Sequence, residues 1–442
     1  MKKIFKIIIL IIFLSLVYGI YTLMSIRIVA TGYAAKNLAS AVFIQGRNAD
    51  SVRALDLNFS LIRFVKEKVD YKNKTITSKF LGQYSEAVYR DGCGVTLLQN
   101  LDSEQLRQQK LPTIDKEGSD SILAAPPKAT TKGLDSIAIA LIDKKEYNGS
   151  PFAFLAVHND TVVAEHYRNG FDAKTRFLSW SMAKSFINAM VGCMTRDSLV
   201  DISAPTGLKE WQNDARREIT INNLMHMTSG LKWNEDYGSR SDVNLMLHRE
   251  SDMAKYAYEK PLKYKPGTHW YYSSGTTNIV SYLLRRKFAS DSLYYDYMYN
   301  KVLGAIAIDD AVFELDESGN FVGSSYLYAS ARDFAKFGML YLHDGIYNGT
   351  RILPEGWVEY TSTPVPDSKG RYGAFFWTNA SGFFPDVPRD AISCIGHDGQ
   401  YIIIVSSMNL VLVVVGYSPK PDHALEINNL VKDVISELNI KR

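Results

Sequence analysis

A chain of 442 residues with 46% hydrophobic and 22% charged residues can bury a sizeable core, as one large catalytic domain with an extension or as two to three ordinary domains. Its 50 Lys and Arg against 47 Asp and Glu leave a net charge of +3, with no long basic run outside the N-terminus, so the concentrated basic face that nucleic-acid binding needs is missing. Cys93, Cys193 and Cys394 lie too far apart for a disulfide framework and read as buried small side chains, with one disulfide left open. The eight histidines show no metal-ligand spacing, so no metal is implied, and no motif in the chain implies an organic cofactor.

The chain begins with the basic "MKKIFK", and residues 7–26, "IIILIIFLSLVYGIYTLMSI", then carry no charge. Twenty uncharged residues match the hydrocarbon thickness of a bilayer when helical. Lys2, Lys3 and Lys6 would stay cytoplasmic and the remainder would be exported, to the periplasm or cell surface. A signal peptide has a shorter apolar core and a small-residue cleavage site; only a weak Val17-x-Gly19 is present, which favours an uncleaved anchor over residues 1–27. Next, "AAKNLASAVFIQGR" suggests a helix running into a strand, and "KVDYKNKTITSKFLGQYSEAVYR" alternates like strands. Residues 101–133 are polar with a Pro-Pro pair and read as a linker or long surface excursion, closing an extension over 28–133.

From residue 134 the pattern is firmer. "LDSIAIALIDKKEY" has helical spacing, and "FAFLAVHNDTVVAEHYR" reads as two strands around an Asn-Asp turn. A helix opens at Ser181, with Met182, Phe186, Met190 and Met194 along one stripe. "QYIIIVSSMNLVLVVVGYS" is a further hairpin, and "ALEINNLVKDVISELN" a closing amphipathic helix. Hairpins at both ends, flanked by terminal helices, predict an α+β domain over 134–442: one antiparallel sheet from distant segments, covered by helices, with an inserted helical region.

Three constellations carry chemistry. In "FLSWSMAKSFINAM", Ser181 and Lys184 stand one turn apart on a helix face, within hydrogen-bond reach. A serine hydroxyl needs a base to become nucleophilic, and a lysine can serve; a helix N-terminus also favours a developing oxyanion. A second S-x-x-K, Ser229 to Lys232, holds a helix-breaking glycine and reads as a loop. In "KPGTHWYYSSGTTNIV", Tyr272 precedes a helix expected from about Thr277, and its phenol could relay a proton. In "CIGHDGQYIIIV", glycines would open a strand edge to a substrate, and the Gln400 N–H could be the second oxyanion donor. Trp180, Trp233, Tyr237, Trp270, Tyr271 and Trp377 cluster near these motifs; most read as core, as His226 and His269 read as structural.

These phrases, with "ITINNLMHMTSGL", "RDFAKFGMLYLHDG", "RILPEGWV" and "YGAFFW" in order over 134–442, resemble the serine β-lactamase and penicillin-binding fold. The likeness is greatest to its class C-related esterase and amidase branch, which includes the 6-aminohexanoate-dimer hydrolases. The resemblance implies Ser181 as acylated nucleophile, Lys184 as its partner, Tyr272 as proton relay, and the N–H groups of Ser181 and Gln400 as oxyanion hole. It leaves open whether lysine or tyrosinate is the base. Ser274, His397, Asp398 and Gly399 fall at substrate-binding positions, with two departures from the pattern: Ser274 replaces an Asn, and His397-Asp398 replaces a Lys followed by Thr or Ser. A histidine beside an aspartate is a poor anion site, which points to neutral or cationic esters and amides as the small-molecule substrate. The alternatives are a D-amino-acid peptidase, carboxypeptidase or β-lactamase on cell-wall-like substrates, and a non-catalytic binding protein using the same cleft.

Overall fold

One unbroken helix, α1 (Lys2–Phe43), carries the uncharged stretch directly into folded chain. The computed structural model describes residues 2–109, 132–419 and 424–438. The side chains of α1 from Ile4 to Tyr18 are solvent-exposed, whereas Ala34, Ala35, Leu38 and Ala39 are fully buried. The strand expected at the end of "AAKNLASAVFIQGR" is absent: the segment stays helical to Phe43. Its small residues let the helix lie flat on a sheet, and alanine has the highest helix propensity.

That sheet runs in the order β1 (Lys66–Asp70), β2 (Thr75–Phe80), β3 (Gln83–Arg90) and β4 (Gly94–Leu98). The expected alternation between 68 and 90 holds, with Ile76, Ser78, Ser85 and Ala87 buried. The polar positions on this inner face are paired with α1: Ser78 Oγ donates to Thr31 O at 2.7 Å, and the Thr31 and Ser85 hydroxyls lie 2.8 Å apart. Of the presumed linker, residues 110–131 lie outside the described residues, but Ser103–Arg107 is a short helix closed by an Asp102/Gln105 capping box.

Among the described residues, those up to Arg90, with Val95–Gln108 and Asn234–Ser251, form one compact unit, and the others a second. In the first, the helix Asp242–Arg249 packs on α1, and the His248 ring meets the Tyr33 ring edge-on at 5.2 Å.

The second unit is built on a six-stranded antiparallel sheet. Its order is Trp377–Thr378, Ile392–Gly396, Gln400–Val405, Leu410–Gly416, β5 (Pro151–His158) and β6 (Thr161–Tyr167). Both expected hairpins are present, and Asn159 and Asp160 take the left-handed backbone of a two-residue turn. Helices Lys132–Ile142 and Ile427–Glu437 cover one face through Leu141, Leu430 and Val434 against Phe154, Leu412 and Val414. The helix Ala331–Leu342 covers the other, where a Cβ on Gly338 would come within 2.5 Å of Val411 Cγ1. Coverage of both faces explains why "YIIIV" and "LVLVVV" are apolar at every position instead of alternating. Cys93, Cys193 and Cys394 are all buried, and no disulfide joins them.

His248 is 1% exposed, and neither ring nitrogen has a hydrogen-bond partner among the described residues. Burial, helped by the nearby Lys36 charge, pushes its pKa down to about 3. An unfolded histidine takes its proton near pH 6.5, so below that pH the unfolded state binds more protons and stability falls. Wild type is expected to lose up to ~1.4 kcal/mol per pH unit from this group between pH 6.5 and its folded pKa. His248→Phe should remove that slope, and thermal melts of both proteins at pH 7 and 4.5 check it.

Candidate active site

Ser181 sits at a strained corner. Ser179 is fully buried, with its N–H on Leu327 O at 2.8 Å, and Trp180 follows in left-handed backbone at φ 46°. A non-glycine residue holds that conformation only when its surroundings fix it. A single 3-10 turn, Trp180–Met182, then feeds the helix Ala183–Arg196. Met182, Phe186, Met190 and Met194 are buried as expected, but so is every residue from Ala183 to Met194.

Ser181 is half-buried and Lys184 is 1% exposed. Lys184 Nζ donates to Ser181 Oγ at 2.9 Å, Ser274 Oγ at 3.1 Å and Ser324 O at 2.8 Å. The same nitrogen lies 5.0 Å from the centroid of the Tyr272 ring. Lower on the helix, Asn188 fixes its position: Nδ2 donates to Ala374 O at 2.7 Å, and Oδ1 accepts from Tyr341 at 2.6 Å and Trp357 at 2.8 Å.

Tyr272 lies in the loop before the helix Ser274–Arg285. That helix starts earlier than expected because the Ser273 hydroxyl caps it, accepting from Thr276 N at 3.2 Å. Ser274 is therefore a helix residue, 0% exposed, with its hydroxyl on Lys184. The loop is pinned by Tyr271 N to Met227 O at 2.9 Å and Trp270 N to Asp367 Oδ2 at 2.8 Å. The Tyr272 ring stacks on Trp377 with centroids 5.4 Å apart and meets Tyr372 edge-on at 5.7 Å. His269 pairs with Asp367 at 2.9 Å, and His226 contacts Asn222 O at 3.0 Å. His269 thereby ties its loop to the Pro366–Ser368 turn, while His226 caps its own short helix, in line with a structural role.

His397, Asp398 and Gly399 form the turn between strands Ile392–Gly396 and Gln400–Val405. Asp398 is left-handed at φ 57°, and its carboxylate lies 3.2 Å from His397 Nε2. The His397 ring meets Trp180 edge-on at 5.4 Å. Gly396 is required by close approach: a Cβ there would come within 2.2 Å of Ser179 O. The turn thus borders the Ser181 corner through Ser179 and Trp180. Gln400 stiffens it, with Nε2 donating to His397 O at 3.1 Å, Asp398 O at 3.1 Å and Gly416 O at 2.7 Å, while Oε1 accepts from Gly416 N at 2.9 Å.

The structure therefore brings Ser181, Lys184, Tyr272 and Ser274 together around one nitrogen, with the turn before Gln400 alongside. Ser229 is buried in a loop, its hydroxyl accepting from Leu231 N at 3.3 Å. The Ser324 carbonyl has no sequence signal, because the contact uses main chain. Among the described residues no group of three or more His, Cys, Asp or Glu gathers as metal ligands would.

The Beta-lactamase family model matches residues 144–434. The chain belongs to that family. A 6-aminohexanoate-dimer hydrolase of Paenarthrobacter ureafaciens is 25% identical over 339 residues, covering 71% of this chain and 84% of that protein. A Bacillus anthracis protein, provisionally classed as a 6-aminohexanoate-dimer hydrolase, superposes with a TM-score of 0.59 at 21% identity, over 72% of this chain and 87% of that one. A Bacteroides dorei structure, provisionally classed as a β-lactamase, gives 0.57 at 19% identity, over 70% and 98%. These solved structures share the fold, an α+β arrangement of antiparallel sheet flanked by helices.

Gln400→Ala removes four side-chain hydrogen bonds from the turn, each worth ~0.5–1.5 kcal/mol. Amide exchange at Gly399 and Gln400 is expected to rise about tenfold or more, as read by hydrogen exchange with mass spectrometry. Unchanged exchange would mean that the side chain does not hold the turn.

Proposed function

We propose that this chain is a serine hydrolase, anchored in the membrane with its catalytic domain outside the cytoplasm, that opens an ester or amide bond through an acyl-enzyme. The observation that carries the reading is the Lys184 nitrogen 2.9 Å from Ser181 Oγ, with Tyr272 against the same nitrogen. A lysine amine that has given up one proton keeps two N–H groups for Ser324 O and Ser274 Oγ, and turns its lone pair toward the Ser181 hydroxyl. Ser181 Oγ then attacks the substrate carbonyl as its proton passes to the Lys184/Tyr272 pair, and the same pair protonates the leaving alcohol or amine. The N–H groups of Ser181 and Gln400 hold the tetrahedral oxyanion, and water releases the acyl group. Ser274 supports the lysine, since its buried hydroxyl accepts from it.

The catalytic domain covers residues 134–442. His397, Asp398 and Gly399 would meet the substrate at the strand edge. The Asp398 carboxylate beside His397 disfavours a substrate carboxylate there, so neutral or cationic esters and amides are preferred over β-lactams. The name of the Paenarthrobacter relative, a 6-aminohexanoate-dimer hydrolase, supports an amide bond as the bond opened. Anchoring is supported by α1, whose 20 residues beyond the basic start are uncharged, exposed as far as Thr22, and of a length that fits a bilayer.

A fluorophosphonate probe should label wild type and leave Ser181→Ala unlabelled, with ester turnover lower by at least about 10³-fold in the variant. Equal labelling would remove Ser181 as nucleophile. Across nitrophenyl esters, short amides and a chromogenic cephalosporin, the esters and amides should be turned over at least about 100-fold better, a difference of ~2.7 kcal/mol. Efficient cephalosporin hydrolysis without esterase activity would overturn the substrate preference.

A further inference from the structure

The uncharged part of α1 ends at Ile26, and the next residue, Arg27, donates from Nη1 to Leu81 O at 2.8 Å. That carbonyl lies at the tip of the β2–β3 hairpin, so the tip is held at the level of the first charge beyond the apolar stretch. The tip is a two-residue turn, Leu81-Gly82, closed by the Phe80 and Gln83 pair, with φ of 46° and 77°. Both values are left-handed, as a type I′ turn requires, and such turns take Asn, Asp or Gly at the first position. Leucine is strained there, and the residue is 47% exposed, so packing within the fold does not repay the strain.

The surroundings of the tip have one character. The face of the sheet turned away from α1 carries Lys66, Lys79 and Tyr84 in one cross-strand row. Lys79 Nζ lies 5.8 Å from the Tyr84 ring, and Phe64 just before β1 is 61% exposed. These residues line an open groove with Phe80 and Leu81. The carboxylate beside them, Glu86, accepts from the Tyr84 hydroxyl at 2.7 Å. Exposed aromatic and aliphatic side chains among lysines, next to an apolar helix, are the composition of a surface that rests in a bilayer interface.

We propose that the β2–β3 tip and its Lys66/Lys79 row form a second membrane contact, dipping Leu81 into the interface and binding anionic phospholipid headgroups. This rests on the reading of α1 as a membrane anchor. Together the two contacts fix the tilt and rotation of this unit on the bilayer, which one helix alone leaves free.

The test uses the full chain in bilayers of phosphatidylcholine with about one quarter phosphatidylglycerol and a nitroxide on a shallow acyl carbon. The native cysteines are buried, so a thiol-reactive fluorophore marks single introduced ones: Leu81→Cys at the tip, Phe13→Cys within α1, and Lys72→Cys at the exposed β1–β2 turn. Leu81→Cys is expected to be quenched at least about threefold more than Lys72→Cys, and Lys66→Glu with Lys79→Glu should cut that quenching by about half or more, as charge attraction to the leaflet is lost. Quenching of Phe13→Cys with Leu81→Cys no better than Lys72→Cys overturns the proposal while leaving the anchor intact. An unquenched Leu81→Cys that resists a water-soluble maleimide would show a protein occupant and also overturn it. An unquenched Phe13→Cys sinks the anchor reading, and the second contact with it.

Discussion

A lysine side chain taken almost wholly out of water must find partners for its nitrogen, and in this fold each partner belongs to a different part of the chain. Lys184 reaches Ser181 one turn back, Ser274 at the start of a helix about ninety residues on, and the Ser324 carbonyl further still. Leaving any of these contacts unmade inside a protein costs more than the bond returns, so the three segments are constrained to meet. The arrangement of Ser181, Ser274 and Ser324 around Lys184 is therefore a consequence of solvating one buried amine.

The surrounding architecture makes that burial possible. A sheet covered on both faces supplies a rigid wall, and the strand ending at Gly396 comes close enough to touch the Ser179 carbonyl only because it carries no side chain there. Trp180 holds the corner in left-handed backbone, wedged between the rings of His397 and Tyr326 at 5.4 and 6.0 Å. On the far side, Asn188 ties the same helix to Ala374, Tyr341 and Trp357. Strain at Trp180, next to the serine, and saturation of the helix below it are two sides of one arrangement, in which a stable scaffold holds an unfavourable backbone.

Much of this was legible in the residues. The spacing of Ser181 and Lys184 states their contact directly, the Asn159-Asp160 pair states its turn, and the apolar stripe through Ile427, Leu430 and Val434 states the closing helix. What escaped was decided by long-range packing or by main chain. The segment after Ala34 stays helical because alanines pack on a sheet formed later in the chain, which periodicity does not register. Ser324 acts through its carbonyl, a group every residue has. Ser274 changes from loop to helix through the Ser273 cap, and Ser103–Arg107 through a capping box whose Asp-x-x-Gln signal was present but surrounded by polar residues. The helix Asp242–Arg249 joins the N-terminal residues across some two hundred positions, with no motif to announce it.

The central claim is a covalent one, that Ser181 carries the acyl group. Cleavage after Arg176 and Lys184 releases Phe177–Lys184 as one short peptide holding Ser179 and Ser181. Rapid acid quench during the first turnover of a nitrophenyl ester, followed by fragment-ion sequencing of that peptide, measures where the acyl mass resides. The expected result is an acyl adduct on Ser181; a nitrophenol burst with the acyl group on any other residue would contradict the account.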